Sequence, residues 1–135
     1  MKKAKIIISG LLFVFAIILL AFFPESMMDS VGKVPLGTFI AWFAVLFYAM
    51  FWYYFFPERM DSKFFRILKR LKNTHFILAI LWGFFSALLA GNWQFSFQNR
   101  QIQFKFWIIF TGFLVVTPLL VLVIFGIRRL ICIDK

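Results

Sequence analysis

The chain holds one histidine, one cysteine and five acidic residues among 135. His75, Cys132, Glu25, Asp29, Glu58, Asp61 and Asp134 are thus its whole stock of metal-ligating, thiol and carboxylate side chains. A zinc site needs three or four converging ligands, and His75 has no second histidine to join it. One thiol cannot close an internal disulfide. Cys132 reads as a small apolar residue at a span end, or alternatively as a palmitoylation target. There is no glycine-rich phosphate loop and no Ser-His-Asp set. These residues point away from an enzyme, and no metal or cofactor is expected.

The elements that would have to position such groups are made of other material. The chain is 64% hydrophobic, 22% aromatic and 15% charged, with a mean hydropathy of +0.94. A soluble domain is about half apolar and about a quarter charged. A chain of this size cannot hide the excess in one core. The composition is that of an integral membrane protein.

Four apolar stretches run over 6–23, 36–56, 75–91 and 106–127. Crossing the hydrocarbon takes about 17 to 25 helical residues. The expectation is an all-α membrane protein, a single domain built as a four-helix bundle. The first stretch follows Lys2, Lys3 and Lys5 as a signal peptide would. It is longer than an ordinary signal core and lacks a small-residue cleavage site, so an uncleaved first helix is expected.

Charge sets the orientation. Twelve of the fifteen basic residues lie at the N-terminus (Lys2, Lys3, Lys5), between the second and third spans (Arg59, Lys63, Arg66, Lys69, Arg70, Lys72), or at the C-terminus (Arg128, Arg129, Lys135). Only Lys33, Arg100 and Lys105 fall on the other side. The positive-inside rule then puts both termini in the cytoplasm of a cell (inner) membrane protein. The net charge of +10 is assigned to topology and anionic headgroups rather than to nucleic acid.

Two connections carry patterns of their own. Between the second and third spans, Phe64, Phe65, Leu68 and Leu71 recur at helical spacing, and Lys63, Arg66, Lys69, Arg70 and Lys72 fill the remaining arc. This predicts a cytoplasmic amphipathic helix over 57–74, a surface for anionic lipid or an acidic partner. Between the third and fourth spans, Trp93, Phe95 and Phe97, then Ile102, Phe104 and Phe106, alternate with polar residues around Asn99-Arg100. Period two predicts an extracytoplasmic β-hairpin with its apolar residues on one face. The competing reading is that the fourth helix starts near Gln101.

Within the spans, Ala79, Gly83, Ala87 and Gly91 are each four apart, a stripe that lets another backbone approach. It is read as the principal packing seam, within the bundle or toward a partner helix. Thr117-Pro118 interrupts the fourth span. Proline frees the carbonyl near Leu114, so Pro118 is a candidate hinge or a fixed bend. None of the acids lies inside a span, whereas an in-membrane acid is the usual mark of ion coupling. The expected function is therefore non-enzymatic: binding to another membrane protein, or self-association, as an accessory subunit or an immunity or exclusion protein. The alternative is a minimal oligomeric carrier or flippase for a lipid-linked or amphipathic molecule, with Glu25 and Glu58 at the span margins.

Overall fold

The computed structural model describes residues 2–56 and 63–133, without the side chains of 63–65 and 125–133. Its elements are α1 (Lys2–Phe22), a 3-10 turn (Ser26–Met28), β1 (Ser30–Val31), β2 (Val34–Pro35), α2 (Leu36–Phe55), α3 (Lys63–Ala90) and α4 (Gln101–Ile133). Each of the four helices contains a stretch long and apolar enough to cross a membrane. Successive helices are neighbours: α1 packs along α2, α2 on α3 and α3 on α4, and α2 also touches α4. Small residues sit where the helices meet, with Ala44, Ala49, Ala79 and Ala90 all but fully buried. Close backbone approach is how helices gain dispersion energy in lipid, where burial of apolar surface adds little.

The amphipathic segment is not a separate element. From Lys63 it runs without a break into the third span. No proline or glycine stands between Lys63 and Gly83, and Leu, Lys and Arg are good helix formers, so the backbone has no reason to stop where the hydrophobicity does. At about 1.5 Å per residue, the 28 residues of α3 outreach a hydrocarbon core of about 30 Å. The charged first turns of α3 are thus surplus to a span of that length. There Leu68 is buried in a cluster with Trp52, Phe56 and Val121, while Arg66, Lys69 and Arg70 are exposed. Lys63 and the Pro57–Ser62 stretch lie outside the described side chains.

The two-stranded sheet lies in the first connection, not the second. Ser30 pairs with Pro35 and Val31 with Val34, around Gly32, whose φ of +69° suits the left-handed region a tight hairpin demands. Over 92–100 there is no strand. Asn92 organises this loop: its Oδ1 accepts the Gln94 and Ser96 N–H groups, each at 3.0 Å, and its Nδ2 donates to Ala90 O and Ser96 O. The Gln94 and Ser96 groups would have formed the ladder. Phe95 (φ 52°) and Asn99 (φ 60°) leave the extended region. Helix α4 then begins at Gln101, so Ile102 and Phe104 are helical. The hairpin expected over Trp93, Phe95, Phe97, Ile102 and Phe104 is thus replaced by a loop and the first turn of α4.

Candidate functional site

Pro118 stands inside α4 and has no N–H, so the carbonyl four residues earlier loses its partner. That carbonyl belongs to Leu114. His75 of α3 reaches it, with Nε2 2.7 Å from Leu114 O. A carbonyl only accepts, so Nε2 carries the proton. The next carbonyl, Val115 O, accepts the Tyr48 hydroxyl of α2 at 2.7 Å. Two polar side chains from two helices thus cover consecutive carbonyls in the turn before the proline of a third. Inside a membrane an unpaired carbonyl costs several kcal/mol, so the three helices are pinned here. Thr111 Oγ1 accepts the Trp82 indole N–H at 3.0 Å, a further tie between α3 and α4.

The other polar groups within the spans have similar work. The Trp107 indole donates to Ser86 Oγ at 2.9 Å, and the Trp42 indole to Ile80 O at 3.0 Å. Thr38 Oγ1 donates to Trp93 O at 2.7 Å, joining the start of α2 to the loop after α3. Ser9 turns back onto the Lys5 and Ile6 carbonyls of its own helix. Among the described residues, the Trp52 indole nitrogen is a buried side-chain polar atom with no hydrogen-bond partner.

The small-residue stripe is half seam and half helix stop. Ala79 is fully buried. A Cβ on Gly83 would fall about 2.2 Å from the Trp42 ring, so α3 carries glycine where the indole of α2 lies flat on its backbone. Trp42 is held there by Ile80 O and by an edge contact with Phe84, centroids 4.8 Å apart. Ala87 is half-buried. Gly91 lies past the end of α3 at φ +72°, its N–H on Ala87 O at 2.8 Å. The Arg100 guanidinium covers Gly91 and donates to Leu89 O at 3.3 Å. Gly91 thus ends the helix, with a cation at its negative pole. At Gly83 the stripe faces α2.

The hairpin aromatics meet without pairing as strands. Phe95 lies edge-on to Trp82. Phe97 contacts Phe104 and Trp107, each with centroids 5.4 Å apart. Trp93 packs on Phe84, and Ile102 is exposed. Together these rings close the end of the α3–α4 pair. At the opposite, cationic end, Lys2 Nζ donates to Phe56 O at 3.0 Å, near the negative pole of α2. Lys5 lies over Tyr54, and Lys72 over Tyr53 at 4.1 Å.

Sequence reasoning located Pro118 and its freed carbonyl but missed His75 and Tyr48 as partners. The available signal was polar aromatic residues flanking a span that contains proline. Among the described residues no group of three His, Cys, Asp or Glu is placed to hold a metal. Compared with known proteins, the chain matches no family model, no curated protein and no solved structure.

Proposed function

We propose that this chain is a multi-pass protein of the cell (inner) membrane that works by binding another membrane component rather than by catalysis. The observation that carries this reading is how its in-span polar groups are spent. His75, Tyr48, Thr38, Ser86, Thr111, Trp42 and Trp82 all hold one element to another. Surface, not an interior site, is what is left to offer. Helix α1 packs along α2 and exposes Ile7, Leu11, Phe15 and Ile18, which recur every three or four residues on one face. Arg66, Lys69 and Arg70 project from α3 beyond the apolar run, ready for an acidic partner surface. Both termini lie on the cytoplasmic side in this reading, because most of the basic residues share that end.

The test is site-specific photocrosslinking in native membranes. A probe at Leu11 or Phe15 should yield one discrete protein adduct, either a partner or a second copy. A probe at Ser9, buried on the face toward α2, should yield none. Capture of lipid alone from every α1 position would overturn the proposal. A reporter in the Gly32-Lys33 turn and one at the C-terminus should report opposite sides of the membrane.

A further inference from the structure

Two connections lie at one end of the molecule, joined by the hydrogen bond from Thr38 Oγ1 to Trp93 O, and they treat their apolar residues in opposite ways. Over 92–100, Phe95 packs on Trp82 and Phe97 on Trp107, so that loop covers its rings with the chain itself. The connection from α1 to α2 does not. There Phe22, Phe23, Met28 and Val31 are 75%, 52%, 80% and 61% exposed. Apolar residues gathered in the open mark a surface that something else covers.

Position and length say what covers it. The connection is folded onto the start of α2 rather than extended away from it. A Cβ on Gly37 would fall 3.1 Å from Met27 Cβ, and the Leu36 N–H donates to Asp29 O at 2.7 Å. Met28 and Val31 therefore stay close to the level at which α1 ends and α2 begins. Helix α1 has 21 residues, and without its Lys2–Lys5 start it is about 26 Å long at 1.5 Å per residue. The hydrocarbon core is about 30 Å thick. A span that is short by a few ångströms draws its flanking residues toward the hydrocarbon. The exposed large apolar residues that come next are Phe23, Met28 and Val31. Glu25, Asp29 and Lys33 are interspersed with them, which is the mixed composition of a segment lying in the interface rather than in the core.

We infer that the α1–α2 connection is an interfacial anchor whose partner is the lipid of the adjoining leaflet. Phe22, Phe23, Met28 and Val31 are immersed among the lipids, and Lys33, at the tip of the hairpin, stays in water. The anchor rests on α1 and α2 crossing the membrane. It does not depend on which side the termini occupy, and it needs no protein partner.

The test is spin-label power saturation on the purified full chain, diluted in phosphatidylcholine vesicles. In a Cys132→Ser background, Met28→Cys, Val31→Cys, Lys33→Cys and Ile109→Cys each carry one nitroxide. Ile109 is exposed within the α4 span and reports on the span itself. Collision with oxygen, which enters lipid, is compared with collision with a water-soluble nickel chelate. Met28 and Val31 should favour oxygen, as Ile109 does, and the ratio should reverse at Lys33. A preference for the chelate at Met28 or Val31, with oxygen still favoured at Ile109, would overturn the anchor and leave the spans standing. Little collision with either reagent at Met28 and Val31 would mean that a second copy covers them, and would overturn it too. So would a preference for oxygen at Lys33, which would bury the whole hairpin. A preference for the chelate at Ile109 would remove the span, and the anchor with it.

Discussion

Helix α3 meets its neighbours in two different ways barely two turns apart. At Gly83 the contact turns on shape: the Trp42 ring, anchored through its N–H to Ile80 O, lies on bare backbone with no space for a methyl group. At His75 the contact is a hydrogen bond to a carbonyl that proline has orphaned. The first contact tolerates no added atom. The second tolerates no lost donor. In lipid, where burying apolar surface drives little, these are two of the main ways to join helices.

The largest effect should come from Gly83→Leu. A Cβ at that position collides with a ring fixed on two sides, by Ile80 O and by Phe84. Over-packing of this kind costs about 3 kcal/mol or more, enough to lose the folded form in size-exclusion chromatography from mild detergent. Gly112→Ala is the matched control. Nothing lies within 4 Å of a Cβ there, and alanine is the better helix former by about 1 kcal/mol, so its melting point should hold or rise.

Next comes His75→Leu, which leaves Leu114 O unpaired, at a cost of about 1–3 kcal/mol. A double-mutant cycle with Pro118→Ala sharpens the comparison. Alanine restores the N–H that Leu114 O lacks, so removing His75 should cost less in that background than in the natural chain. Equal costs in both would mean that His75 acts by packing, and the two contacts on α3 would then be of one kind.

The spans were legible because each is a long apolar run: α2 begins at Leu36, as expected, whereas α4 begins at Gln101, ahead of the apolar run at 106 and as only the competing reading had it. The entry to α3 was not legible. Charge marks where a helix leaves the hydrocarbon, while proline and glycine mark where it stops, and the segment before His75 has the first without the second. The alternation from Trp93 to Phe106 misled for a related reason. Period two is also met when a loop and a helical turn bring the same rings together, and Asn92 binds its own neighbours more locally than a ladder would. A shorter signal, Val31-Gly32-Lys33-Val34, marked the real hairpin. Within α4, the freed carbonyl is local and readable from Pro118. Which donor reaches it depends on how α2 and α3 are rotated against α4, and a linear pattern does not encode that rotation.

Gly91→Ala probes the far end of the same helix. At φ +72° a side chain pays about 1–2 kcal/mol of backbone strain, and the methyl would also displace the Arg100 guanidinium. The melting point should fall by less than in His75→Leu. Limited proteolysis should then find new cleavage within 92–100, while the α2–α3 contact stays closed.

The smallest effect separates the two carbonyls in the turn before Pro118. Leu114 O has lost its own helical partner to Pro118, whereas Val115 O precedes Leu119, a residue that still carries an N–H. The Tyr48 hydroxyl therefore adds a bond where the helix has its own donor, and His75 replaces one that is absent. Tyr48→Phe keeps the ring, which packs on Phe13 and Trp52, and removes only the hydroxyl. Single interhelical hydrogen bonds in membranes average about 0.6 kcal/mol, and that is the expected loss in an unfolding titration. A cost as large as that of His75→Leu would show that the bend frees both carbonyls equally. The distinction between replacing a bond and adding one would then fail at this site.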